Sequence, residues 1–230
     1  RLAVALDAAA QAQGSRTRYA NLAVRGRLLA DIVGPQVQAA IALEPDLVSI
    51  VGGGNDILRS AADIDALADQ LETAVATLRE TGADVLMATP MDPREAPVMK
   101  YTRGRAAAYA ANIWTIANRH GAHVIDQWTM AALRDWRLWA PDRIHLNAEG
   151  HRRIALHALH ALGHHTDQAD WRTPLPDKRL PTGRDAIVGD AQWVRDHVTP
   201  WLRRRMRGES SGDRLSPKQP QLELPQRTWA

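Results

Sequence analysis

The stretch "SIVGGGNDILRS", Ser49 to Ser60, decides how the chain is read. It leaves an apolar run, passes three consecutive glycines, Gly52 to Gly54, and sets Asn55 and Asp56 straight after them. Glycines there let the backbone take a positive φ and approach another group closely. The run ahead of them, "PDLVSIVG", follows a turn signal and predicts a strand buried on both faces. A side-chain amide at the C-terminal edge of such a strand stands where open α/β sheets keep their ligands.

Working outward, helical and strand patterns alternate. "RLAVALDAAAQAQG" is Ala-rich at helical spacing and stops at Gly14; "TRYANLAV" reads as a short strand. "GRLLADIVGPQVQAAIAL" predicts two short helices broken at Gly34-Pro35. Asp63 can cap a long helix that ends at Gly82, and "ADVLMATP" is the next buried strand. A helix over about 98–120, a strand in "AHVIDQW", a short helix at 130–135, a loop and a helix over 147–163 follow. The alternation predicts right-handed βαβ units and a parallel sheet with helices on both faces. A doubly wound sheet opens with a strand, whereas this chain opens with a helix, so a first strand is expected to be missing.

Composition narrows the class. The 230 residues fit one domain with an appendage, and 45% apolar against 24% charged is a globular balance. Phe is absent, so Trp, Leu, Val and Ala must fill the core; Cys is absent, which excludes disulfides and thiolate metal sites. Residues 1–165 carry 17 Lys+Arg and 17 Asp+Glu, while 166–230 carry 12 and 9, so the net +3 lies in the C-terminal part. A neutral main body argues against nucleic acid as a partner. With no apolar run near the ~18 residues a membrane span needs, and no signal peptide in view, the expectation is a cytoplasmic protein.

The residues that carry chemistry lie in "APDRIHLNAEGHRRIA". Asp142 and His145 stand three apart before a helix that Asn147 can cap. In a tight turn the carboxylate can accept from one ring nitrogen and leave the other as a general base. Gly26 follows the strand in "TRYANLAV" and Asn55 the strand in "PDLVSIVG", so these residues and the Asp142/His145 turn are expected on one sheet edge. A backbone N–H and a side-chain amide are the donors an oxyanion hole uses. The set is an acyl-transfer site without a nucleophile.

Over about residues 1–165 the chain resembles the SGNH (GDSL-type) hydrolases: "NLAVRGR" looks like their second block, "GGND" (Gly53 to Asp56) like the third and "DRIH" (Asp142 to His145) like the fifth. The resemblance implies a three-layer α/β/α flavodoxin-like fold and a metal-independent, cofactor-free esterase or lipase acting on a small-molecule ester through a serine acyl-enzyme. It also implies Gly26 and Asn55 as oxyanion donors, His145 as base and Asp142 as its orienter. The family's serine sits in a Gly-Asp-Ser block after the first strand. That block is not in these residues and is expected ahead of Arg1, with the missing strand. Ser15, Ser49, Ser60 and the serines of "GESSGD" lack a strand-turn-helix setting, so no nucleophile is assigned, and the 230 residues alone are expected to be inactive. The alternatives are a non-catalytic domain of the same fold and a phosphate or nucleotide binder using the Gly52–Gly54 loop. The second fails the dinucleotide pattern at Ile57 and lacks a P-loop Lys.

Other features read more plainly. His151, His157, His160, His164 and His165 read as a solvated helix face, and "RRRMR" at 203–207 as the basic last turn of a helix. Trp128, Trp136 and Trp139 either line an acyl pocket or replace Phe in the core. Residues 166–230 form a C-terminal extension. In it a 186–207 helix is expected to pack on the domain through Ile187, Val188, Val194, Trp201 and Leu202, ahead of a Pro-rich extended end.

Overall fold

The computed structural model describes residues 1–96, 99–164, 171–176, 183–200 and 212–226. Three strands, β2 (Leu47–Ile50), β3 (Asp84–Ala88) and β4 (His123–Ile125), form a parallel sheet in the order β2-β3-β4. The crossovers are α5 (Ile64–Glu80) and α6 (Arg103–His120). Asp63 caps α5 as its position predicts, accepting from the N–H groups of Asp65 and Ala66 at 2.9 and 3.2 Å.

The period of two along β3 builds the layers. Val85 and Met87 face a core made by Leu71, Val75 and Leu78 of α5 and Ile113 and Ile116 of α6. Leu86 and Ala88 point the other way, into a second core with Ile125 and Ala158, packed by Leu2 and Ile154. That second layer consists of α1 (Leu2–Ala12) and α7 (Ala148–Ala161), which pack on each other. The result is helix, sheet, helix, as the alternating pattern predicts.

Three expectations about the strands and short helices change. β2 pairs only with β3 among the described residues; Ser49 is exposed and Val51 is 57% exposed, so the run is not buried on both faces. A strand with one neighbour keeps one open edge, and its apolar pattern cannot reveal that. Secondly, β1 (Tyr19–Asn21) does not join the parallel sheet; it pairs antiparallel with β5 (Gln219–Glu223) from the segment expected to be merely extended. The Gln219 side chain reinforces the pair by donating to the Tyr19 carbonyl at 2.7 Å. Pro220 is tolerated because β5 has β1 as its only strand neighbour among the described residues. Finally, Gly34-Pro35 does not separate two helices: a π turn, Ile32–Gln36, joins α2 (Leu29–Asp31) to α3 (Val37–Ile41).

In the C-terminal region, α8 (Arg184–Trp193) continues into a π turn, Val194–Val198. Val188 and Val194 of the expected stripe are 47% and 41% exposed, and among the described side chains Asp190 and Trp193 contact the domain. The side chain of Ile187, and residues Trp201, Leu202 and Arg203 to Arg207, lie outside what is described. No helix among the described residues is long and apolar enough to cross a membrane.

His157 departs from the solvated-face reading. It is buried, stacks on Trp171 at 4.0 Å between centroids, and sets Nδ1 3.3 Å from Met130 Sδ. Burial holds its pKa down to about 4. The unfolded chain takes up this proton below about pH 6.5, whereas the folded state refuses it until about pH 4. Stability from this group is therefore complete above pH 6.5 and lost as pH falls toward 4, by at most ~3 kcal/mol. His157→Phe keeps the stack and is expected to flatten the melting-temperature difference between pH 7 and pH 5. An unaltered pH dependence in thermal melts of the variant would count against the buried neutral imidazole.

Candidate active site

Each candidate residue is held by local chemistry. Asn147 caps α7 by accepting from Glu149 and Gly150 N–H groups, both at 3.0 Å, and its amide donates to the Arg137 carbonyl at 2.7 Å. This anchors the end of a small hairpin loop in which the Ala140 N–H donates to His145 O at 2.8 Å and Trp139 bridges Leu146. Within the loop Asp142 Oδ1 accepts the backbone N–H groups of Ile144 and His145, both at 3.0 Å. Its Oδ2 stands 2.7 Å from His145 Nδ1. Partial burial works to raise the Asp142 pKa, but the hydrogen bonds from the His145 ring and the two N–H groups outweigh it, so the carboxyl sits below its ordinary range. An ionised Asp142 thus fixes the Nδ1–H tautomer and leaves Nε2 unprotonated, the form a general base needs.

On the other side, three residues past β2, Gly53 has φ 86° and opens the single turn α4 (Gly54–Ile57). Two causes require glycine there: the left-handed backbone, and Tyr109, whose Oη lies 2.5 Å from where a Cβ would stand. Asn55 is exposed on that turn, and its Nδ2 donates to the Arg27 carbonyl at 2.9 Å, next to Gly26, which has φ 78°. An amide nitrogen carries two N–H groups, so one is left for a second acceptor.

Sequence reading missed what holds this turn. Asp56 is buried and accepts the Leu29 N–H at 3.0 Å, which ties the turn to the loop carrying Gly26. Burial pushes its pKa up against that bond. Arg105 of α6 donates to the carbonyls of Ile57, Arg59 and Ala62 at 3.1, 2.9 and 2.7 Å, holding the far side. Tyr109 Oη is buried without a hydrogen-bond partner among the described residues, and burial, with Asp56 nearby, drives its pKa far up. The adjacency of Asp56 to Asn55 was the only signal for any of these in the sequence.

The glycine loop and the Asp142–His145 turn both border one cavity of about 250 Å³, through neighbours of the candidate residues: Gly26, Asn55, Asp142 and His145 themselves are not among its lining. Gly52 and Gly54 line it from the β2 edge, Arg143 and Ile144 from the His145 turn, and Trp136 and Trp139 between. Trp128 packs against the α5–α6 core instead, so the three tryptophans divide between pocket and interior. At the wall of the cavity Asp92 is held by Arg94 and Arg103, each at 2.7 Å. Burial works to raise its pKa, but these ion pairs win and it stays below the ordinary range.

A model of the GDSL-like lipase/acylhydrolase family matches residues 2–153, about two thirds of the chain. The chain belongs to that family. No curated protein matches it. Among solved structures this GDSL-like chain is similar to TesA, at 21% identity and a TM-score of 0.58, with 70% of this chain and 86% of that one covered. It is also similar to LAE5, an alpha/beta hydrolase enzyme from the metagenome of Lake Arreo, Spain (25% identity, TM-score 0.51, 60% and 69% covered). A third is a single-residue variant of Axe2, an acetyl xylan esterase from Geobacillus stearothermophilus (23%, 0.52, 60% and 69%). The family match ends at Arg153, so α8 and β5, which touch the Asp142–His145 turn and β1, lie beyond it.

Proposed function

We propose that the chain belongs to a carboxylic ester hydrolase that works through a serine acyl-enzyme, the serine standing ahead of Arg1. The observation that carries this reading is the 2.7 Å contact between His145 and Asp142 on a turn that shares a cavity with the glycine loop of Asn55. The open edge of β2 and the separation of β1 from the parallel sheet are consistent with a further strand docking between them.

In this reaction the serine hydroxyl attacks the ester carbonyl while His145 Nε2 takes its proton. The Asn55 amide and the Gly26 N–H hold the oxygen as charge develops on it. His145 then returns the proton to the leaving alcohol, and water repeats the cycle on the acyl-enzyme. Asp142 stays ionised throughout and stabilises the imidazolium. The substrate is a small-molecule ester, its acyl part in the cavity of Trp136 and Trp139. At about 250 Å³ that cavity is below the ~300–1,000 Å³ of drug-sized sites, which suits a small acyl group.

The extended protein, carrying the in-frame coding sequence ahead of Arg1, is expected to hydrolyse p-nitrophenyl acetate, and the 230 residues alone are not. Equal rates from both, or none from the extended form, would refute the reading.

A further inference from the structure

Arg143 stands between the two catalytic-turn residues in a conformation that arginine rarely adopts. Its φ is 53°, and it is one of two non-glycine residues in the left-handed region among the described residues. The Arg143 N–H donates to Ala140 O at 2.9 Å, which closes a four-residue turn with Pro141 second. Arg143, the fourth residue, thus takes the left-handed position that hairpin loops ordinarily give to Gly or Asn. An arginine there must be held by its side chain.

Its guanidinium lies 5.5 Å from the centroid of Trp136 and 5.3 Å from that of Trp193, and Nη1 meets Asp190 Oδ1 at 2.6 Å. Trp193 also donates its indole N–H to the Asp142 carbonyl at 2.9 Å. A planar cation between two indole faces uses what Arg has and Lys lacks. Meanwhile the His145 side chain is 57% exposed, so its pairing with Asp142 needs the turn held from outside.

We infer that Arg143 and Trp193 clamp the Asp142–His145 turn, which makes α8 a working part of the catalytic site. Both act by positioning the turn; Trp193 does only that, whereas Arg143 also lines the cavity. The inference rests on the hydrolase reading for its consequence in catalysis, but the clamp itself is testable without hydrolysis. Trp193 and Asp190 lie some forty residues past the end of the family match, so the device belongs to this chain's own C-terminal region.

The test uses Arg143→Gly, in which the turn keeps its left-handed backbone without strain, and Trp193→Phe, which keeps an aromatic ring and removes the donor. In the 230-residue chain the His145 Nδ1–H proton is followed by NMR exchange with water. Exchange is expected to speed up about tenfold or more in both variants while the melting temperature stays near that of the parent. In the extended protein both are expected to lower kcat toward about 10²-fold, and in Trp193→Phe, which lies outside the cavity lining, KM is expected to change far less. An unchanged exchange rate, or an unchanged kcat after the proton is lost, would overturn the clamp. Unfolding of both variants would overturn it too, because the contact would then hold the domain and not the turn. A dead extended parent would sink the hydrolase reading alone, since the exchange measurement still decides the clamp.

Discussion

His145→Ala in the extended protein is expected to lower kcat on a p-nitrophenyl ester by about 10⁴-fold, the upper range for a lost general base. In the structure the imidazole has one ordered carboxylate partner, Asp142, with Nδ1 directed to it at 2.7 Å. Nε2 is therefore the nitrogen left for the serine. Two other histidines are engaged elsewhere: His157 is buried against Trp171, and His123 Nδ1 bonds the Ala161 carbonyl. His120 meets Glu72 at 3.0 Å, but at the last residue of α6, whereas the cavity is lined by Ala106 and Tyr109 nearer that helix's start. Asp142→Asn should cost less than His145→Ala, because the half-open turn lets water take part of the carboxylate's place. Its stability cost should also be small. Steady-state kinetics on both variants checks the order; an alanine variant within tenfold of the parent would remove His145 from the base role.

The second large effect belongs to Asn55. Asn55→Ala in the extended protein is expected to lose on the order of 10²–10³ in kcat, the usual cost of one oxyanion donor. KM should move much less, since the contact strengthens as charge develops on the carbonyl oxygen. Because Asn55 also donates to Arg27 O at 2.9 Å, alanine loosens the loop as well as removing a donor. Asn55→Asp removes both donor contacts at unchanged size. It keeps size and shape but turns a donor into an anion facing both the Arg27 carbonyl and the developing oxyanion, so it should be at least as damaging. Near-normal turnover in either variant would remove Asn55 from the oxyanion role.

Much of the fold was legible because its signals are local. β3 reads as buried on both faces, and Val85, Leu86 and Met87 are each 1% exposed or less. Asp63 and Asn147 cap the helices their positions predict. The readings that failed depend on partners distant in sequence. Nothing in the period of "TRYANLAV" could announce that Tyr19 and Asn21 pair with Glu223 and Gln219, about two hundred residues on. Likewise "PDLVSIVG" has the composition of a central strand, and only its neighbours decide that one edge stays open. The site divides the same way. Asp142 and His145 share one turn, so their spacing placed them. Asp56, Tyr109, Arg105 and Trp193 act on the site by contacts across the fold, and their residue types in sequence are those of ordinary caps and core.

The central claim is that this edge is the base and oxyanion half of an acyl-transfer site whose serine stands ahead of Arg1. A fluorophosphonate probe, followed by peptide mapping, tests it most directly, because such probes react with an activated serine and stay on it. The account predicts one label per extended protein, on a serine upstream of Arg1, lost in His145→Ala, and no label on the 230 residues alone. Stoichiometric label on any serine within residues 1–230 would contradict it.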